Sequence, residues 1–160
     1  MTYYTRFKTP YWEILLTGSA DGLTGLHMMT GEEKRPLIVS DDWIREDSMF
    51  AEAKTQLLEY FAGTRKTFSL PLALEGTEFQ KKVWETLVQI PYGVVWTYKE
   101  LAVAVGNPKA SRAVGTANGK NPIPIIIPCH RVIAANGKLA GFAFGVDAKD
   151  KLISLERSHI

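Results

Sequence analysis

The chain reads as an α+β fold: a small β-sheet with one helix in its first half, then a mostly helical second half. Three observations predict this. Strand-forming apolar runs, Tyr11 to Leu16 and Leu23 to Met29, cluster near the start. Apolar residues then recur at helical spacing, first from Met49 to Phe61 and again beyond Thr77. Finally, two short helical stretches are joined by Gly106-Asn107-Pro108, a helix-turn-helix pattern.

The elements follow in order. Ala20-Asp21-Gly22 supplies turn chemistry between the two strands. Ser48 is placed to cap a helix carrying Met49, Phe50, Ala53, Leu57, Leu58 and Phe61, which Gly63 ends. Thr64 to Gly76 is a connector with an extended apolar piece, Phe68 to Leu74. Thr77 caps the next helix, which carries Phe79, Val83, Trp84, Leu87 and Val88 and stops at Pro91-Tyr92-Gly93. Val94 to Trp96 is extended, and Thr97 caps a brief helix through Leu101, Ala102 and Val105. The helix after the Gly-Asn-Pro break covers Lys109 to Ala117 and is built of small residues, with Arg112 rising from its start. Such a helix packs closely against something flat, another helix or a nucleic-acid groove. Asn136-Gly137 marks a tight turn between Val132-Ile133 and Leu139-Ala140, a hairpin that would form the wing of a winged-helix-like unit. The last helix runs from Val146 to Glu156.

Bulk properties bound the class. With 160 residues and 46% hydrophobic content, the chain can bury a real core as one domain or two small ones. It has no apolar run near the ~20 residues that span a bilayer and no secretory leader at its N-terminus. A lone thiol excludes an internal disulfide framework and fits a reducing, cytoplasmic setting. The net charge of +2 is uneven: Phe79 onward carries +6 and the part before it −4. A basic half beside an acidic half suggests that one of them meets a polyanion.

The lone thiol is Cys129, in Ile125-Ile126-Ile127-Pro128-Cys129-His130-Arg131-Val132. A thiol without an intramolecular partner is either inert filling or a reagent. His130 and Arg131 beside it favour thiolate, the nucleophilic form. In an extended segment consecutive side chains point to opposite faces, so His130 reaches the sulfur through a bridging water rather than directly. One Cys and three His fall short of a tetrahedral metal set, so no metal is expected.

Pro-Cys-His-Arg-Val, preceded by Asn121-Pro122-Ile123-Pro124, resembles the signature of the O6-alkylguanine-DNA alkyltransferases. The likeness extends from about Phe79 to Glu156 and includes Pro91-Tyr92-Gly93, Thr97-Tyr98 and Asn107 to Gly115. It implies a ribonuclease H-like support domain over residues 1–75 and a DNA-binding, alkyl-accepting domain over 76–160. The implied reaction moves an alkyl group, mainly methyl, from guanine O6 in double-stranded DNA to Cys129, irreversibly and once per molecule. The implied protein is a monomer that needs no cofactor.

The resemblance also assigns roles. His130 deprotonates Cys129 through water and is oriented by Glu156. Tyr98 hydrogen-bonds the departing base, and Asn121 ties the helix-turn-helix to the active-site segment. Thr97, Tyr98, Ala110, Ser111, Arg112, Gly115 and Arg131 face DNA, with Arg112 filling the space of an extruded base. Val132, Phe142, Ala143 and Phe144 line the pocket. From spacing alone Arg112 reads as a surface arginine, Glu156 as a solvated helix end and Asn121 as an Asn-Pro turn.

Three rival readings exist. A non-catalytic lesion sensor of this pattern carries another residue at position 129. A transcription regulator would need a further domain. A cysteine hydrolase would need a second base. The chain departs from the family pattern at Phe142, where many members carry Tyr, and at Phe144, where many carry Gly. A Phe at 144 crowds the pocket mouth, so benzyl adducts should react less well than methyl. Rates for methyl- and benzyl-modified guanine in the wild type and in Phe144→Gly check this; equal discrimination by both proteins refutes it.

Overall fold

The computed structural model describes residues 1–139 and 141–160. A four-stranded sheet opens the chain: β1 (Tyr3–Lys8), β2 (Glu13–Ser19), β3 (Gly22–Met29) and β4 (Ile44–Arg45), in the order β3-β2-β1-β4. β2 pairs antiparallel with both β1 and β3, whereas β4 adds in parallel to β1. The predicted turn at Ala20-Asp21 joins β2 to β3. β1 was not anticipated. Its buried positions, Thr5 and Phe7, are too few for a visible alternating pattern.

A 3-10 turn, Asp47–Phe50, leads into α1 (Ala51–Phe61). Ser48 does not cap this helix as expected. Its hydroxyl donates instead to Glu46, 2.8 Å away. Gly63 ends the helical segment in the left-handed region, φ +80°. The connector hydrogen-bonds the start of β3, with Leu23 N–H donating to Pro71 O and Ala73 N–H to Leu23 O.

The second half packs α2 (Glu78–Leu87), α3 (Tyr98–Val105), α4 (Ser111–Gly119) and α5 (Val146–Arg157) around two short strands. These are β5 (Trp96–Thr97) and β6 (Val132–Ile133). Thr77 and Thr97 both form full capping boxes, with Gln80 and Glu100 returning the bond. Gly106, at φ +95°, closes α3 in the left-handed conformation that glycine adopts without penalty. α4 begins at Ser111, after the turn that Asn107 O closes onto Ala110 N–H, so it starts and ends later than the spacing suggested. Trp84 on α2 donates its indole N–H to Ala117 O of α4 at 2.9 Å, locking the two helices together.

The wing hairpin is not built as expected. β6 pairs in parallel with β5, Trp96 opposite Val132. The Asn136-Gly137 turn is closed by Gly137 N–H to Ala134 O and Ala134 N–H to Lys138 O. Leu139 joins no strand, and Ala140 lies outside the described residues. No helix among the described residues is long and apolar enough to cross a membrane.

One contiguous core runs through both halves, from Ile14, Leu16 and Met28 of the sheet to Leu101, Val114 and Leu152 of the helices. Cys129 is part of it. Because the Thr77 box is local and solvent-exposed, Thr77→Ala should cost about 1 kcal/mol. It should lower the urea midpoint without changing the slope of the transition.

Candidate active site

Cys129 opens a single 3-10 turn, Cys129–Arg131, directly after Pro128. The apolar run before it is not extended. Ile127 N–H donates to Ile123 O at 2.9 Å, and Cys129 N–H to Ile127 O at 2.8 Å. Ile125 sits at φ +74°, an outlier conformation for a β-branched residue. Such strain costs about 1–3 kcal/mol and persists only where the surroundings enforce it. Asn121 enforces part of it: its Nδ2 donates to Ile127 O at 2.7 Å, and its Oδ1 accepts from Ile123 N–H at 3.0 Å. The same side chain lies beside Cys129 and counters part of the rise in its pKa. Asn121 thus both forms its Asn-Pro turn and ties together Ile123 and Ile127 of the segment that leads to Cys129.

Glu156 is 2% exposed and accepts five hydrogen bonds. They come from Tyr60 Oη at 2.6 Å, Gly93 N–H at 3.2 Å, His130 Nε2 at 2.6 Å, and Arg131 Nε and Nη2 at 2.8 and 3.1 Å. Burial by itself would raise its pKa. The bonds from His130 and Arg131 outweigh burial and hold the carboxyl well below the usual range. With Glu156 ionised, His130 Nε2 is the donor and its lone pair is on Nδ1. That nitrogen is buried and has no partner among the described residues. Burial lowers the His130 pKa, with the Glu156 bond opposing it, so the imidazole is neutral at neutral pH.

Arg131 does not reach a DNA-facing surface, contrary to the sequence expectation. It is 6% exposed and holds Glu156 and, at 2.7 Å, Ile90 O, beneath the Tyr92 ring. A guanidinium buried this deeply must be fully partnered, and Glu156 is the partner. The expectation that His130 and Arg131 lower the thiol pKa also fails, because both are turned onto Glu156. Burial pushes the Cys129 thiol up to about 11, with the Asn121 hydrogen bond and the Lys149 charge acting against it.

Sequence reasoning missed Lys149. It is 0% exposed on α5 and lies close enough to Cys129 for their charges to couple. Burial lowers its pKa to about 8, with Cys129 pulling the other way. A signal was available: Lys149, Leu152, Ile153 and Glu156 follow the i, i+3, i+4, i+7 spacing of a core-facing stripe. A cation on such a stripe must find a buried role.

Tyr98 begins α3 between two glycines. A Cβ on Gly115 of α4 would stand 3.4 Å from its ring, and one on Gly141 would stand 3.0 Å from its hydroxyl. Burial, then the neighbouring Cys129, raises its pKa, so the phenol stays protonated. Thr97 is engaged as the α3 cap. Ala110 precedes α4 as its cap position and Ser111 begins it, while Arg112, Ala113 and Thr116 are exposed along it.

The space beside Cys129 is about 10 Å³, lined by Asn118, Asn121, Pro124 and the loop Gly141 to Phe144. This is room for roughly one water and far too little for a base. Phe142, Ala143 and Phe144 line it as expected. Val132 does not: its side chain is fully buried in the core behind β6.

Both halves of the chain match known proteins. Residues 2–74 match the ribonuclease-like domain of 6-O-methylguanine DNA methyltransferase, and residues 78–158 match its DNA-binding domain. The chain is 54% identical to a methylated-DNA–protein-cysteine methyltransferase of Methanosarcina acetivorans, over 98% of this chain and 99% of that one. It is 44% identical to the constitutive enzyme of Bacillus subtilis, over 98% and 96%. The Mycobacterium tuberculosis O6-methylguanine methyltransferase structure superposes with a TM-score of 0.91 at 42% identity, covering 100% of this chain and 95% of that chain. A DNA complex of the mycobacterial protein gives 0.90 at 43%, over 98% and 94%. The chain belongs to the 6-O-methylguanine DNA methyltransferase family.

Proposed function

We propose that this protein repairs DNA directly, by moving an alkyl group from guanine O6 in double-stranded DNA to the sulfur of Cys129. The observation that carries this reading is the lone thiol, Cys129, sharing a small space with Asn121 and the loop Gly141 to Phe144, directly followed in the chain by the buried His130–Glu156 pair. The small-residue surface of α4 lets the helix approach a DNA groove closely, and exposed Arg112 fills the gap left by the extruded nucleotide. Extrusion costs a few kcal/mol of stacking and pairing.

In the reaction, the Cys129 proton passes through a bridging water to His130 Nδ1, while Nε2–H stays bonded to Glu156. The Lys149 ammonium offsets the charge left on sulfur. Sulfur then attacks the alkyl carbon in line, the C–O6 bond breaks, and its electron pair leaves with the base. Tyr98 donates its phenolic proton to that base as negative charge develops and is reprotonated, through water, by the proton that His130 took from Cys129. The products are a thioether and an unmodified guanine. No step regenerates the thiol, so each monomer acts once and no cofactor is required. Thymine alkylated at O4 offers the same leaving-group chemistry.

Intact-protein mass tests this. Mixed with an oligonucleotide carrying one O6-methylguanine, the wild type should gain one methyl group and Cys129→Ala none. Binding without mass gain would point to a lesion sensor and overturn the reading.

The pH dependence has a definite sign. His130 has a lowered pKa and must be neutral to act, so the rate should hold as pH falls to about 6.5 and drop only below it. Stability follows the same direction. The unfolded chain takes up its His130 proton near 6.5 and its Glu156 proton near 4.5, before the fold does at either site. The contribution of both groups is therefore present above those values and lost as pH falls through the folded pKa values. Glu156→Gln should flatten this acid slope. It should also cost about 3–5 kcal/mol at pH 7 by leaving Arg131 buried and unpaired, and slow transfer about 100-fold. Thermal melts from pH 4 to 8 and single-turnover rates check the three effects.

A further inference from the structure

The loop that closes the space beside Cys129 is held from the other half of the chain. Thr30, just past β3, donates its hydroxyl to Phe144 O at 2.6 Å. Lys34 N–H donates to Ala143 O at 2.9 Å. Two consecutive carbonyls of the pocket loop are thus fixed by one short segment. The His27 ring stands edge-on to the Phe144 ring, with centroids 5.2 Å apart. Glu32 packs against Gly145, where a Cβ would lie 2.3 Å from its carboxylate oxygen. Gly145 is the cap position of α5 and has no side-chain cap of its own, so this carboxylate is favourably placed at the helix start. The Thr30 segment is itself braced, since Glu33 accepts from Gly31 N–H and the Thr30 hydroxyl oxygen accepts from Glu32 N–H.

These contacts bear on the pocket because the space beside the sulfur is only about 10 Å³ and the loop from Gly141 to Phe144 forms much of its lining. An alkylated base that reaches the sulfur needs more room than this, and the loop is the wall that can give it. Moving Phe144 stretches the Thr30 bond and lifts its ring from His27. A larger adduct requires a larger displacement and strains more of these contacts.

We infer that Thr30 and His27, outside the DNA-binding half, are positioning residues that set the size of the alkyl group Cys129 can accept. This inference rests on the alkyl-transfer reading above. It extends that reading by giving the N-terminal half a part in selectivity.

The test is the ratio of single-turnover rates for O6-benzylguanine and O6-methylguanine in the same oligonucleotide. Thr30→Val keeps the shape and removes the donor, and should raise the benzyl-to-methyl ratio about 5-fold, an effect of roughly 1 kcal/mol. Thr30→Ser restores the donor and should return the ratio to the wild-type value, which loosened packing alone would not predict. His27→Ala should raise the ratio by itself and add nothing in a Phe144→Gly background, since the ring it supports is then absent. If Thr30→Val does not fold, the His27 pair of measurements decides. An unchanged ratio in folded Thr30→Val or His27→Ala overturns the inference. Methyl gain by the wild type is the control: its failure defeats the alkyl-transfer reading, whereas an unmoved ratio alongside it defeats only the positioning role.

Discussion

A single buried carboxylate organises this molecule. Glu156 stands at the end of α5 and gathers Tyr60 from the N-terminal half, the Gly93 turn, His130 and Arg131. An ionised carboxylate out of water is costly unless its lone pairs are filled, and here the partners come from three separate parts of the chain. The same bonds that keep Glu156 charged also orient His130 with its free lone pair on Nδ1. Tyr60 answers to this charge as well: burial, reinforced by Glu156, drives its pKa far up and keeps it a donor. Fold stability and the poise of the base therefore share one interaction and cannot be varied separately.

The thiol is kept in a resting condition. Burial raises the Cys129 pKa, and Lys149 and Asn121 oppose it without cancelling it. A thiol that is protonated and walled in is a poor target for stray electrophiles and oxidants. Reactivity then depends on what enters the pocket. A base that opens the loop changes the space around the sulfur, its solvation and its distance from the surrounding charges. For a protein proposed to react once, such burial would protect the single thiol of the chain.

The electrostatic asymmetry of the sequence also takes a different meaning in three dimensions. Two of the cations that make the second half basic, Arg131 and Lys149, are interior. The charge available to a polyanion is carried instead by exposed groups such as Lys109, Arg112 and Lys120, beside a groove between α4 and the start of α2. That groove and the closed pocket lie along the same short helix, which ties access to the sulfur to the surface proposed to meet DNA.

What the sequence determined by itself is local. The Thr77 and Thr97 caps, the glycine ends at Gly63 and Gly106, the turn at Ala20-Asp21 and the helix-turn-helix were legible because their hydrogen bonds close within a few residues. The motif around Cys129 brought together the proposed nucleophile with Asn121 and His130, since those residues are close in the chain. Other features were decided only by tertiary structure. Ser48 turned its hydroxyl to Glu46, Arg131 turned inward onto Glu156, Lys149 was buried near Cys129, and Val132 lies fully buried in the core. Tyr60 reaches Glu156 across 96 residues and Thr30 reaches Phe144 across 114. Whether a buried charge is a surface contact or a structural pivot depends on partners that far away, and no local pattern encodes them.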